Sequence, residues 1–395
     1  MLIQFNFKNH KSFYEKSTLD MTVTAEKRHI NDAIEINGNK MLPFLAIYGA
    51  NASGKSTVID AFFYMAKAVA RSFDSDLFEP FLVVPFAFNE KLKQEPSEFE
   101  IFLNIGDYEY RYGFIATKDL ILEEWLYKKL FKAKTKAKEK MLFERQKGAV
   151  VFGQELKKEE QVEELITDKT LLLSILGRRK TYVAKDIYNW FINNNLVSEQ
   201  PYISETVIKL LHEDKNLYSQ FKTLLSEIDP CLKDLKITPK EDENQRTKYE
   251  VQGVHSDAED SNKTHLLPLR GESSGTKRII KILPIILKTL IEGSLLFVDE
   301  LDTQLHPLLL KKIVYMFSDK DINKHNAQLV YTTHNTFMFN SQDMRRDQIL
   351  LVEKDKYGKS KLYSLSDFKK LRSDSDYEKK YLSGEFGSIP FINQW

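Results

Sequence analysis

Residues 44–59, FLAIYGANASGKSTVI, limit what this chain can fold into more than any other stretch. A short apolar run at 44–48 reads as a buried strand. It enters Gly49-Ala50-Asn51-Ala52-Ser53-Gly54-Lys55-Ser56, which fits the spacing G-x-x-x-x-G-K-S/T. Beyond it, Val58, Ile59, Phe62, Phe63, Ala66, Val69 and Ala70 recur at helical spacing, so an amphipathic helix follows. Strand, glycine-bearing loop and helix in that order are the context a phosphate-binding loop requires. Gly49 and Gly54 let the backbone curl so that its N–H groups face an anion. The helix N-terminus adds partial positive charge. Lys55 is placed to reach the β- and γ-phosphates and Ser56 to hold Mg²⁺. Asn51, Ala52, Ser53 and Thr57 complete the set expected to touch ATP. An ordinary glycine turn before a helix needs neither this full spacing nor the partner motifs far downstream.

Composition bears on partners and compartment. With 58 Lys+Arg against 57 Asp+Glu, net charge argues neither for nor against nucleic acid, and only local patches can. The single cysteine, Cys231, excludes an internal disulfide and suits a reducing cytosol. The most apolar run, 279–291, is interrupted by Lys281, Pro284 and Lys288, so no membrane span is expected. The N-terminus lacks the basic start and long apolar core of a signal peptide. A soluble cytoplasmic protein is the expectation.

Along the chain, 2–7 alternates as a strand and 17–24 can return as a second. Asn37-Gly38 marks a turn. Residues 78–88, punctuated by Pro80 and Pro85, read as loop or short strand. Residues 99–103 and 108–115 flank Gly106-Asp107 as a β-hairpin. Residues 122–131 and 141–145 read as another strand pair. The basic segment KAKTKAKEK between them reads as a solvated hairpin tip, with a phosphate-contacting patch as the alternative. From 155 to 228 the pattern turns helical without a sustained heptad, as a compact insertion. It holds a second basic cluster, Gly177-Arg178-Arg179-Lys180. Pro230 and Pro239 close it, a polar loop follows at 240–246, and 248–254 resumes strand alternation.

The downstream motifs supply the rest of a nucleotide site. In LRGESSGTKRII, Gly271, Ser273, Ser274 and Gly275 precede an apolar helical run, and hydroxyls and amides there can meet an anion. The buried strand 294–298 ends in Asp299-Glu300. The aspartate can hold Mg²⁺ and the glutamate can polarise an attacking water. In LDTQLHP, Asp302 faces a neighbouring subunit or the nucleotide, and Pro307 starts a helix. The strand 328–333 delivers His334 at its end, where ligands of parallel α/β sheets bind.

Together these motifs resemble the ABC-type ATPases of the SMC/RecF/OLD group. The phosphate loop is GANASGKS, the signature LRGESSGTKR, the acidic strand LLFVDE, the D-loop LDTQLHP, and the switch histidine lies in LVYTTHN. The opening FNFKNHKSF and the tail from Arg345 are similar to the bacterial RloA/AbiLi-like ATPases of abortive-infection and restriction loci. The implied fold is α/β: an ABC-type P-loop NTPase lobe with a mixed sheet, flanking helices and an antiparallel β-subdomain, plus a compact helical insertion. The implied boundaries are 1–150 for the N-terminal half of the lobe, 151–230 for the insertion and 231–395 for the C-terminal half. The resemblance further implies a head-to-tail homodimer with ATP and Mg²⁺ between the loop of one subunit and the signature of the other. Glu300 would activate water, and His334 and the partner's Asp302 would monitor the γ-phosphate. The position of Lys11 would carry a basic residue near the nucleotide. Two features depart from the pattern. The signature is ESSGT rather than the transporter type, and Ser97-Glu98 stands where a Q-loop glutamine is expected.

Three functions compete. One is an ATPase sensor in antiphage defence controlling a protein effector encoded nearby. Another is a DNA-handling ATPase of the repair type. A third is a nuclease, since Glu353, Asp374 and Asp376 resemble Toprim acidic motifs. Too few residues follow His334 for such a domain at the usual scale of about a hundred. A balanced charge with only local basic patches modestly favours the first over the second.

Overall fold

The computed structural model describes residues 1–73, 83–132, 137–156, 162, 164–179, 182–197, 203–241, 247–260, 263–369, 371 and 375–390. The chain forms two compact units, residues 1–194 with 328–395, and residues 195–327. These units do not coincide with the boundaries read from the sequence, because the stretch 151–230 is shared between them.

The first unit opens with β1 (Leu2–Lys8) and β2 (Ser17–Asp20), paired antiparallel. A small hairpin of β3 (Ile34–Ile36) and β4 (Asn39–Met41) turns at Asn37 and Gly38, φ 51 and 78. Two successive positive φ values match the twist of a two-residue hairpin. Then come β5 (Phe44–Gly49), buried throughout, and α1 (Lys55–Arg71). Five strands follow: β6 (Ser97–Ile105), β7 (Tyr108–Ala116), β8 (Ile121–Leu130), β9 (Lys140–Gln146) and β10 (Ala149–Phe152). They build a seven-stranded antiparallel sheet in the order β10-β9-β8-β7-β6-β1-β2. Its β1 face meets α1 through Phe5 and Phe62, ring centroids 5.6 Å apart. Burying such a ring stabilises by about 1.5–3 kcal/mol. The expected hairpins are present, and β10 was not anticipated because its four residues carry too short an alternation. Part of the basic tip, 133–136, and the first part of the proline-punctuated stretch, 78–82, lie outside the described residues.

Within the expected helical insertion, α2 (Leu172–Arg178) and α3 (Tyr182–Ile192) belong to the first unit. At the start of α2 the buried Glu124 carboxylate accepts the amides of Leu172 and Leu173 at 2.7 and 3.0 Å and the Tyr112 hydroxyl at 3.0 Å. Of the second basic cluster, Arg178 donates to the Ala70 carbonyl at 2.8 Å, which ties α2 to the end of α1; Lys180 lies outside the described residues.

The second unit contains β11 (Asn195–Val197), α4 (Glu205–Glu213), α5 (Lys215–Ile228), and a three-stranded antiparallel sheet of β12 (Leu232–Glu241), β13 (Thr247–Ser256) and β14 (Thr264–Pro268). Pro239 sits inside β12. An edge strand tolerates a residue without an N–H, and β12 is the edge of this sheet. Next come α6 (Ser274–Glu292), β15 (Leu295–Val298) and α7 (Pro307–Ser318), with β11 parallel to β15. Helix α6 buries Ile280, Leu283, Ile286 and Leu287 along one face and stops at Gly293, φ 65. Pro307 takes the first helical position of α7, as its sequence predicts.

The chain then completes the first unit with β16 (Gln328–Thr332), β17 (Ile349–Lys354), β18 (Ser360–Ser364) and α8 (Tyr377–Leu382). Strands β16 and β17 flank β5 in parallel, and β18 runs antiparallel to β17. The tail packs Tyr381 on Phe339, 4.8 Å between centroids, and Phe339 on Tyr48 at 4.7 Å. A buried ion pair closes this region. Arg345 meets both oxygens of Asp347 at 2.8 and 2.6 Å and donates to the carbonyls of Glu26 and Arg28. Thr24 donates its amide and hydroxyl to the same carboxylate at 2.8 and 2.7 Å. Among the described residues no helix is long and apolar enough to cross a membrane.

Candidate functional site

In the first unit the parallel strands bring the loop and the histidine to one end of the sheet. Thr332 lies opposite Ile47 in register, so His334 falls level with Gly49. The Thr333 amide donates to the Ile47 carbonyl at 3.1 Å, and His334 is exposed beyond it. On the other side Val352 of β17 is opposite Gly49, and a Cβ on Gly49 would collide with the Val352 carbonyl. Glycine is therefore required where the loop leaves its strand.

The loop then curls over the start of α1. Gly54 caps the helix at φ 115, which side-chain-bearing residues avoid. Its Cβ would lie 2.8 Å from Ser360 Oγ and 3.0 Å from Ser12 Oγ. Those two serines grip the loop from behind. Ser360 Oγ donates to the Ser53 carbonyl at 2.5 Å and meets Ser12 Oγ at 2.9 Å, while the Ser360 amide donates to the Ser12 carbonyl at 2.8 Å. Lys55 is buried, and its ammonium donates to the carbonyls of Gly49 and Ala50 at 3.0 and 3.1 Å. Ser53 Oγ is buried and makes no hydrogen bond among the described residues. An orphaned hydroxyl costs about 1–3 kcal/mol of desolvation unless a ligand satisfies it. Together with the glycine-lined curl, it fits a phosphate oxygen. Asn51, Ala52 and Ser56 are exposed at the loop's outer rim, and Thr57 is half-buried.

Lys11 is held elsewhere in this unit. Its ammonium pairs with Asp60 on α1 at 2.7 Å, and the buried His10 Nε2 meets the same carboxylate at 2.7 Å. Burial alone would raise the Asp60 carboxyl, yet hydrogen bonds and charge from His10 and Lys11 hold it below its ordinary value. Lys11 also has φ 49, so the turn carries backbone strain to place it there. Ser97, at the place of the absent Q-loop glutamine, donates to the Asn9 carbonyl at 2.5 Å and steadies the same turn. Glu353 faces Gly387 and Tyr363, and Asp376 caps α8 through the Lys379 amide. Asp374 lies outside the described residues.

The second unit carries the other motifs. Ser273 is the N-cap of α6, accepting the Thr276 amide at 3.0 Å, and Thr276 Oγ1 donates to Asp229 at 3.1 Å. Gly271, Ser273 and Ser274 are exposed and Gly275 is half-buried. Position 275 abuts the D-loop, since a Cβ there would be 3.3 Å from the Gln304 carbonyl. Asp299 follows β15, its amide donating to Val197 at 3.0 Å. Glu300 adopts φ 51 and accepts the Thr303 hydroxyl at 3.2 Å, and both Asp302 and Thr303 are half-buried. Positive φ in a glutamate is uncommon and concentrates at functional turns. Buried Arg278 donates to the Glu300 carbonyl at 2.8 Å, joining the signature helix to the acidic turn.

Sequence reasoning singled out the loop, the signature and the acidic pair but missed Ser12, Ser360, Thr303 and Arg278. A buried arginine on the apolar face of a helix, as in KRII, is the one local signal that could have revealed any of them.

Among solved structures, an SMC head domain from Thermotoga maritima is similar at 15% identity and TM-score 0.44, covering 92% of this chain and 98% of that one. An SMC head bound to the C-terminal winged-helix domain of ScpA is similar at 13% identity and TM-score 0.45, covering 92% and 97%. No curated protein matches the sequence. A family model described as "AAA domain, putative AbiEii toxin, Type IV TA system" matches residues 44–340, from the first residue of the phosphate-loop strand past His334. That span is most of the chain and holds the phosphate loop, the signature, the acidic pair and His334, so the chain belongs to this AAA-domain family.

Proposed function

We propose that this protein is an ABC-type ATPase that binds and hydrolyses ATP. Two copies join head to tail through the bound nucleotide. The observation that carries the reading is the loop itself: a glycine curl, the Lys55 ammonium folded over it, and a buried Ser53 hydroxyl with no hydrogen bond among the described residues. Ser53, Gly54, Lys55 and Ser56, with Asn51, Ala52 and Thr57, would cradle the phosphates. Ser56 and Asp299 would hold Mg²⁺, which supplies charge neutralisation of the β- and γ-phosphates. Glu300 takes the proton of the attacking water, and His334 contacts the γ-phosphate. Gly271, Ser273, Ser274, Gly275 and Asp302 meet the nucleotide of the second copy. Their exposure supports that role for the signature serines. Hydrolysis removes the charge that bridges the copies, and they loosen. Lys11 joins the nucleotide only if it leaves Asp60.

The family's description as a putative toxin of a toxin–antitoxin system supports a role in antiphage, abortive-infection defence. Within it we place the chain beside RloA/AbiLi-like ATPases. The ATPase cycle would control a protein effector in the cytoplasm.

Two substitutions test the chemistry. Lys55→Ala should lose ATP binding in a calorimetric titration, and unchanged affinity would remove the loop from the site. Glu300→Gln should still bind ATP but hydrolyse it about 10²–10⁴ times more slowly, the usual worth of a general base. It should also accumulate as a dimer in light scattering; a monomer with normal turnover contradicts the assigned role. The repair-type alternative is separated by DNA: stimulation of hydrolysis that disappears when Lys132, Lys134, Lys136 and Lys138 become glutamate would favour it.

A further inference from the structure

A cavity of about 800 Å³ lies beside the signature helix, and all of its described lining residues belong to the second unit. Its volume is that of a small-molecule site. Ile208, Val251 and Tyr249 give it an apolar, aromatic wall. The Tyr249 ring is steadied by His212 of α4, 5.3 Å away between centroids. Arg270, Lys277, Arg278 and Lys281 also line it, with Glu205 the one carboxylate among the described lining residues. Lys277 donates to the Arg270 carbonyl at 3.3 Å, which draws two of these cationic residues together. Arg278 is the residue whose guanidinium also holds the Glu300 carbonyl.

We propose that this cavity binds a free nucleoside polyphosphate as an effector, distinct from the nucleotide on the phosphate loop. The base lies on Tyr249, where stacking on an aromatic ring contributes about 1–3 kcal/mol. The phosphates lie among Arg270, Lys277 and Lys281. A ligand touching Arg278 acts on the Glu300 turn through one side chain. Ser274 of the signature also lines the cavity, so the effector binds a copy that is not engaged with a second copy's nucleotide, and its coupling to Glu300 rests on the ATPase reading.

The test uses the full chain carrying Lys55→Ala and a methylanthraniloyl-labelled ATP followed by fluorescence. Saturable binding should persist, and Arg270→Glu should weaken it at least tenfold. Tyr249→Ala should do likewise while Tyr249→Phe, which keeps the ring, preserves it; circular dichroism checks that each variant is folded. Inorganic triphosphate should compete at least tenfold more weakly than ATP. Loss of all binding with Lys55→Ala, or residual binding insensitive to both Arg270→Glu and Tyr249→Ala, overturns the proposal. Tighter binding of a short single-stranded oligonucleotide than of ATP overturns the free-nucleotide assignment. In the unsubstituted chain, Arg270→Glu should leave Lys55-dependent binding intact, so a failed effector site and a failed phosphate loop give different results.

Discussion

The phosphate loop and the signature turn are both glycine- and serine-rich, and both precede a long helix, yet they are held in opposite ways. The loop is gripped from behind by residues far away in the chain, Ser12 and Ser360, and its Lys55 is buried. The signature is capped by its own Ser273 and Thr276, with Asp229 the distant residue that accepts from Thr276, and its serines are exposed. A preorganised anion cradle needs its amides fixed before the ligand arrives, because ordering them afterwards costs binding energy. A turn that meets another molecule needs exposure instead. The two architectures are those that the proposed function asks of a nucleotide-binding loop and of a turn that contacts a second copy.

Four measurements break or sharpen this contrast, the first by removing the polar anchoring on which the first unit relies. Arg345→Met leaves the Asp347 carboxylate buried without its partner, and losing one member of a buried pair costs about 3–5 kcal/mol. Denaturant unfolding should register that loss, and a change below 1 kcal/mol would mean that the anchoring is not polar. Glycine substitutions come next. Gly54→Ala forces a Cβ against two serines at φ 115, where left-handed backbone alone costs about 1–2 kcal/mol, so ATP affinity should fall at least tenfold. Gly275→Ala has an ordinary φ and a single contact at 3.3 Å, so intrinsic ATP affinity of the monomer should hold. Equal losses in both variants would erase the distinction between the halves.

Smaller effects follow. Ser360→Ala removes the hydrogen bond from its hydroxyl to the Ser53 carbonyl of the loop, worth about 0.5–1.5 kcal/mol. ATP affinity should drop severalfold while the melting temperature changes little; the reverse pattern would make the serine merely structural. The mildest effect is a pH dependence. Because the Asp60 carboxyl is held below its ordinary 3.8, it contributes stability above that value and loses it as pH falls through the lowered one. Hydrogen exchange of residues 9–14 should therefore gain protection as pH rises across this acid range, after correction for intrinsic rates. Asp60→Asn should flatten the dependence, and an unaltered profile would remove the His10–Lys11–Asp60 contact as its cause.

Much of this molecule was legible locally. Period-two alternation marked β1, β6, β7 and β8, and helical spacing marked α1, because a half-buried element writes its geometry into the order of apolar residues. The strands β11, β12 and β14 were not legible. The first has only three residues, Pro239 interrupts the second, and every residue of the third is exposed or at the surface rim, so no apolar alternation could announce it. The same holds at the site. Gly49, Gly54 and Lys55 announce themselves by spacing, whereas Ser12 and Ser360 are ordinary serines in polar stretches.

From its order of residues alone, this chain determined that it would build a phosphate loop between strand and helix, an acidic pair at a strand end and a serine–glycine helix start. Each depends on contacts a few residues apart. Tertiary structure alone decided that Lys11 pairs with Asp60, that Ser360 closes on Ser53, and that Arg278 ties α6 to the Glu300 turn. Those contacts join residues brought together only when the strands pair and the helices pack, and no local pattern encodes which distant side chain will arrive.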